Sequence, residues 1–369
     1  MTDMNNEARY MRAQSDAFIG RRTRLDRYLI SSLDGYFPVL VRTGEQSLAV
    51  VYRSGGTHAS ASGTLSVATS QDGGRSWSDG VAIRPKWHDV RNPAFGVNSR
   101  GELIVAYWEG GINGYRFAAD GSGMEQHIAD ELPAEPVMFT VRSADNGHTW
   151  SEPVPFASDL DIFRLVSPYG RMLTLPDGTM LMSVYGWSKD TTGPRDSIIM
   201  MRSYDGGLTW GDSSYVASGY NETSFARMPD GRLIAAGRGS GIAVMFSDDD
   251  GRTWSEPEKL TRKSEHPADV TMLQSGKLLL TFGRRVRPFG CGALISEDLG
   301  RTWRHDREIL LAGDGVEDTD LGYPSTVQLA DGTIVTVLYY ASGSEKTVKF
   351  LGWGYVSCQA IVYREEDIL

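Results

Sequence analysis

The chain has 369 residues, with 42 glycines, nine tryptophans, sixteen tyrosines and a net charge of −10. That length exceeds a typical single globular unit and no linker divides it, which suits an architecture that grows by repetition around one core. The acidic balance argues against nucleic acid as a partner, because phosphate neutralisation needs clustered Lys and Arg. No apolar run approaches the ~20 residues of a membrane helix.

Residues 1–23 begin with the polar segment MTDMNNEARYMRAQ and are expected to form an arm or a short helix. The segment lacks the apolar stretch of a secretory signal, so the sequence as written suggests a cytoplasmic protein, or a secreted one if a leader precedes it. RLDRYLISS, at 24–32, has strand character. The first apolar hairpin follows, YFPVLVRTGEQSLAVVYR from Tyr36 to Arg53, and then a Gly-rich loop with His58. The segment SQDGGRSW comes next and ends at Trp77. The second hairpin, NPAFGVNSRGELIVAYW, is preceded by HDVR with Asp89 and Arg91 and is followed by SADNGHTW, ending at Trp150. The third, YGRMLTLPDGTMLMSVYG from Tyr169, precedes SYDGGLTW at Trp210. The fourth, ETSFARMPDGRLIAAGR from Glu222 to Arg238, precedes SDDDGRTW at Trp254. The fifth, DVTMLQSGKLLLTFGR from Asp269 to Arg284, precedes SEDLGRTW at Trp303. The sixth, YPSTVQLADGTIVTVLYY from Tyr323, is followed instead by the strand-like VKFLGWGYVSCQAIVYRE.

Two repeats therefore interleave. In Ser-x-Asp-x-Gly-x-Thr/Ser-Trp the Asp bonds nearby backbone N–H groups. The Gly supplies positive φ, and the Trp anchors the turn. Every part has a structural task, so Asp72, Asp145, Asp205, Asp249 and Asp298 are expected to be turn residues. The apolar hairpins, with turns such as Pro229-Asp230-Gly231, are expected to be inner strands. The result is an all-β, six-bladed β-propeller with four-stranded antiparallel blades. Residues 24–369 form one domain, and the N-terminal strand closes the ring. Cys291 and Cys358 match no metal spacing and are expected to be reduced, buried thiols. No metal or cofactor is implied.

Asp boxes on such a propeller resemble the sialidase superfamily, the BNR-repeat family, over about Arg24 to Arg364. The resemblance implies a carbohydrate substrate, an axial active site, three arginines on a substrate carboxylate, a Tyr nucleophile with a Glu base, and a separate acid. It carries the Glu role to Glu222, an arginine role to Arg238 and the nucleophile to Tyr323. The third arginine falls on Arg287 by spacing from the Asp box, with Arg284 as competitor. Where the family has its first arginine, two residues before a proline, this sequence has Tyr36, and a phenol cannot supply the bidentate fork. His58 and Asp89 compete for the acid. Arg53, Arg91, Tyr169 and Asp320 lie at hairpin ends that converge on the axis.

The expected activity is exo-acting hydrolysis releasing a terminal acidic or deoxy sugar. A lyase cleaving uronic-acid linkages with His58 and Tyr323 or Tyr36, and a non-catalytic carbohydrate-binding propeller, are the alternatives.

Overall fold

A computed structural model describes residues 19–22, 25–32, 34–56, 58, 63–83, 90–109, 115–117, 124–126, 137–157, 159–160, 163–188, 196–315, 320–341 and 356–369. The fold is all-β, a propeller-like arrangement of four-stranded antiparallel sheets. Its first strands are β1 (Ile19–Arg22) and β2 (Asp26–Ser32). The sheet β3 (Tyr36–Arg42), β4 (Leu48–Ser54), β5 (Thr64–Ser70), β6 (Val81–Ile83) follows in meander order. Next come β7 (Val90–Val97) and β8 (Leu103–Glu109), the short pair β9 (Tyr115–Phe117) and β10 (Met124–Gln126), then β11 (Val137–Ser143) and β12 (Val154–Phe156). A further meander is β13 (Phe163–Thr174), β14 (Met180–Ser188), β15 (Asp196–Ser203), β16 (Gly211–Ser218). After it lie β17 (Thr223–Arg227), β18 (Leu233–Arg238), β19 (Ile242–Ser247) and β20 (Glu258–Lys259), and then β21 (Glu265–Met272), β22 (Leu278–Arg284), β23 (Gly290–Ser296) and β24 (Glu308–Ala312). The last strands are β25 (Gly322–Gln328), β26 (Ile334–Ala341) and β27 (Val356–Tyr363).

The hydrogen-bonded sheets do not all contain four strands. β7-β8-β11-β12 and β13-β14-β15-β16 join into one eight-stranded sheet through two parallel residue pairs between β7 and β13. β1 adds in parallel to the edge of β24, making that sheet five-stranded. Part of the expected N-terminal arm is therefore a paired edge strand. β2 lies antiparallel to β27 as the outer strand of the sheet β25-β26-β27.

Inner strands such as β4 and β8 are buried at every position, as continuous apolar runs demand when both faces are covered. Apolar clusters fill the spaces between successive sheets, from the one joining β3–β5 to β7–β11 round to the one joining β25–β27 to β3–β5. The sheets thus pack in a closed circuit. Cys291 and Cys358 are buried free thiols within it.

All five Asp boxes are tight turns. In the first, Ser76 N and Oγ donate to Asp72 at 2.9 and 2.6 Å, and Gly74 N donates to Ser70 Oγ at 2.9 Å. The same bonds recur around Asp145, Asp205, Asp249 and Asp298. The indole N–H of Trp77, Trp150, Trp254 and Trp303 donates to the box glycine carbonyl. Trp210 is more deeply buried than these four, and its Nε1 has no hydrogen-bond partner among the described residues.

Candidate active site

Three inner strands begin with the same local device. Phe37, Asn92 and Tyr323 each precede a proline and have positive φ, at 54°, 43° and 50°. The ladder register shifts beside each of them, in β3, β7 and β25. A bulge re-aims a side chain, and a non-glycine residue in this region costs about 1–3 kcal/mol, which clusters at functional sites. Here the re-aimed groups converge. The rings of Phe37 and Tyr323 lie 5.0 Å apart, edge to face. Asn92 Nδ2 and Tyr323 OH both donate to Glu222 Oε1, at 3.1 and 2.7 Å.

Glu222 stands immediately before β17 and is buried. Its other carboxylate oxygen, Oε2, is bonded to Arg238 at the end of β18, and the same Arg238 nitrogen donates to Tyr323 Oη at 2.9 Å. Burial alone would raise the Glu222 pKa. The Arg238 charge, the hydrogen bonds from Tyr323 and Arg238, and the Arg285 charge outweigh it, so the group sits below its ordinary value and is an anion. Tyr323 shows the complementary shift. Burial and then the Glu222 charge push its phenol well up, against the pull of Arg238 and Arg285. The resting state is therefore a neutral phenol donating to a carboxylate, in contact with a cation. That arrangement can take the phenolic proton as the oxygen becomes a nucleophile.

A second dyad lies alongside. His58 Nδ1 is 2.9 Å from Asp320 Oδ1, and Tyr339 OH donates to the same oxygen at 2.6 Å. Burial works against the Asp320 charge, but His58, Tyr339 and Arg285 hold its pKa below the ordinary value. The imidazole is half exposed, with its ring 4.8 Å from Phe37 and 5.8 Å from Tyr36. With Nδ1 committed to Asp320, Nε2 is left to exchange a proton with a ligand.

The position where the resemblance places a first arginine is aromatic. Tyr36 is buried with Phe37, Tyr169, Tyr323 and Tyr339 in one apolar cluster. Tyr169 lies 6.0 Å from Tyr323, and burial followed by the Glu222 charge pushes its phenol well above the ordinary value.

Of the arginines after the fifth hairpin, the one that lies against Tyr323 is Arg285, a residue the sequence reading did not single out. Its guanidinium lies 5.5 Å from the centre of the Tyr323 ring, and its Nε donates to Leu321 O at 3.3 Å. Arg284 is fully buried and donates to Glu265 at 2.8 Å, to Glu308 at 2.9 Å and to the Arg287 carbonyl. Arg287 is exposed, with its guanidinium 6.0 Å from the Phe289 ring. Both side chains are therefore placed by contacts other than Tyr323. For Arg284 the cause is strand alternation: it ends β22 facing Glu265, and the next residue faces the opposite way. Arg53 is also fully buried and bonds the Val90 carbonyl, while Arg91 lies 5.1 Å over the Trp108 ring. Asp89 lies outside the described residues. Asn92 and Phe37 were also missed, although each precedes a proline at a hairpin start. His266, just before β21's Pro267, is a further missed neighbour. Burial and the charges of Arg238 and Arg285 lower its pKa to about 4, so it is neutral above that.

The BNR repeat-like domain matches residues 88–337. The chain belongs to that family. A curated sialidase of Bacteroides fragilis (strain YCH46) is 26% identical over 312 residues, covering 77% of this chain and 55% of its own. The chain thus spans about half the length of that relative. Among solved structures, a protein of unknown function from Dyadobacter fermentans superposes with a TM-score of 0.72 at 22% identity, covering 92% of this chain and 99% of its own. A Hadza microbial sialidase superposes at 0.68 with 22% identity, covering 92% of this chain and 67% of its own. The fold is that of the sialidase superfamily, and the Asp boxes are its BNR repeats.

Proposed function

We propose that the protein is an exo-acting glycoside hydrolase on a six-bladed propeller, releasing a terminal acidic or deoxy sugar. The observation that carries the reading is the hydroxyl of Tyr323, held between Glu222 Oε1 at 2.7 Å and Arg238 at 2.9 Å. The six apolar interfaces that close the circuit of sheets support the blade count.

In the proposed reaction Tyr323 Oη attacks the anomeric carbon as its proton passes to Glu222. The glycosidic C–O bond breaks, and protonated His58 gives its proton to the departing oxygen. A water then attacks the same carbon, His58 takes its proton, and the tyrosyl oxygen recovers its own from Glu222. Asp320 holds the imidazole in place. Arg238 and Arg285 supply positive charge for an acidic substituent, and the aromatic wall of Tyr36 and Phe37 favours an apolar edge where the family has an arginine.

Aryl glycosides of sialic, deoxy-ulosonic, uronic and 6-deoxy sugars test this directly. One should be hydrolysed, and Tyr323→Phe and Glu222→Gln should abolish the reaction. The edge contact of His58 with Tyr36 at 5.8 Å favours β-elimination as the second reading. An ultraviolet-absorbing unsaturated product would select it. Turnover of no member, with sugar binding retained, would select a binding propeller.

A further inference from the structure

The first strand of each hairpin faces the axis, where the neighbours run β3, β7, β13, β17, β21, β25 and back to β3. Such an edge carries N–H and C=O groups that its own hairpin ladder leaves unpaired, and burial demands partners for them. The circuit supplies those partners differently from place to place. β7 and β13 pair directly through their backbones. Ser224 Oγ accepts from Val270 N at 2.9 Å and Ser325 Oγ accepts from Leu40 N at 3.0 Å, so a hydroxyl links β17 to β21 and β25 to β3. Between β21 and β25 the acceptor is a carboxylate: Thr326 N donates to Asp269 Oδ2 at 2.6 Å. Asp269 is buried, and a buried charge needs a counter-charge.

That counter-charge comes from across the axis. In the circuit β13 stands opposite β25, and Arg171 of β13 reaches both β21 and β25. Its Nη1 is bonded to Thr326 O and lies 3.2 Å from Asp269 Oδ2. Its Nη2 donates to Thr271 Oγ1 at 3.2 Å and to Val270 O at 3.3 Å. Thr271 Oγ1 in turn donates to Thr326 O at 2.9 Å. Both backbone groups of Thr326 are thus held by the Arg171–Asp269 pair and its neighbour. Outward from the axis the buried hydroxyls of Thr281, Thr326, Thr336 and Tyr363 follow one another at 3.0, 2.9 and 2.9 Å, so the hold extends to β22, β26 and β27.

Thr326 is three residues along β25 from Tyr323, and Tyr323 lies in the bulge between Gly322 and Ser325, where the ladder to β26 is interrupted. The direction of Tyr323 therefore depends on where β25 is next held. Arg171 likewise lies two residues beyond Tyr169, and Asp269 three beyond His266. We propose that Arg171, paired with Asp269, is a positioning residue: an axial bolt that sets β25, and with it Tyr323, against Glu222 and Arg238. Its bonds run to backbone carbonyls, Asp269 and Thr271, so it acts through the strands and not on a ligand. The placement of Tyr323 by the bolt stands on geometry alone, and only its effect on turnover rests on the hydrolase reading.

The test is fluorine NMR on the full chain with 3-fluorotyrosine at position 323, beside urea melts and the kcat and KM of any glycoside the parent hydrolyses. Arg171→Met should shift or split the fluorine resonance and lower kcat about 10²-fold with KM nearly unchanged, the loss that follows when a reacting group is misplaced by about 1 Å. Asp269→Asn keeps an acceptor for Thr326 N and removes the charge that holds Arg171. It should move the resonance in the same direction and less far, and it carries the test if Arg171→Met does not fold. Arg202→Met is the control. Arg202 is also buried and donates to Ser214 Oγ at 2.7 Å and to Asp250 O at 3.0 Å, but at the Asp-box end of its strand. That variant should lower the urea midpoint and leave the resonance at its parent position. A parent-like resonance in the Arg171 and Asp269 variants that fold overturns the proposal, as does a resonance that Arg202→Met moves as far as Arg171→Met. If the resonance moves as described but no glycoside is cleaved, the hydrolase reading fails and the bolt stands. If a glycoside is cleaved and the resonance does not move, the bolt fails and the hydrolase reading stands.

Discussion

Arg284 and Arg285 are neighbours with opposite tasks, and replacing each by Met separates them. Arg284 is fully buried, and its Nη1 lies 2.8 Å from Glu265 and 2.9 Å from Glu308, both also buried. Removing the cation leaves two buried carboxylates facing each other. Breaking a buried pair from one side costs about 3–5 kcal/mol. Arg262 reaches the same two carboxylates from a half-exposed position, which puts the loss near the low end, about 3 kcal/mol. Arg285 contributes a partly exposed contact over Tyr323, so Arg285→Met should change stability by no more than about 1 kcal/mol. Its loss should instead weaken an acidic sugar by about 10–100-fold, as for one charge-assisted hydrogen bond. Urea midpoints for the two variants, with calorimetric titration of N-acetylneuraminate and glucuronate, separate these outcomes. A stable Arg284→Met that no longer binds the acid, with a destabilised Arg285→Met that does, would refute the assignment.

Other expectations follow from single residues. Asp72 and Asp249 work against some burial, but hydrogen bonds from their box Ser or Thr and backbone lower both carboxyls to about 2 from an ordinary 3.8. A depressed folded pKa gives stability that is complete above the unfolded value and is lost as pH falls through the folded one. Acid titration of the unfolding midpoint should therefore steepen from pH 3.8 down to about 2, and Asp72→Asn with Asp249→Asn should flatten that limb. Gly283→Ala would place a Cβ 2.8 Å from His266 O and 3.4 Å from the Gly322 Cα, both backbone. It should cost about 1–3 kcal/mol in a denaturant melt and lower activity by displacing Tyr323. His58→Ala should slow glycosides with poor leaving groups by about 10²–10⁴-fold and spare those whose leaving group needs no proton, which a series of aryl glycosides measures.

The Asp boxes were legible because each is a local device, complete within eight residues whose hydrogen bonds are internal to the turn. Glu222, Arg238 and Tyr323 were legible because they sit at hairpin ends, which the closed circuit brings together however far apart they lie in sequence. Arg285 was not, since spacing from the Asp box favoured Arg287, two residues farther past the end of β22, and left Arg284 as the competitor. Arg238 lies an odd number of residues beyond the turn glycine Gly231, and Arg285 lies an odd number beyond Gly276, whereas Arg284 lies an even number. Period-two alternation would have rejected Arg284. Phe37 and Asn92 were missed for a different reason: each owes its direction to a bulge and a positive φ that strand alternation does not foresee. Tyr36 was read at the position where the family has its first arginine, but its place in a buried aromatic cluster depends on Tyr339 and Val356, which only the tertiary fold brings near.

The most direct test of the central claim is kcat for the parent, Tyr323→Phe and Glu222→Gln on whichever aryl glycoside of the sialic, deoxy-ulosonic, uronic and 6-deoxy panel the parent hydrolyses. The account predicts that both variants lose about 10²–10⁴-fold or more in kcat while remaining folded. Full activity in either variant would contradict it.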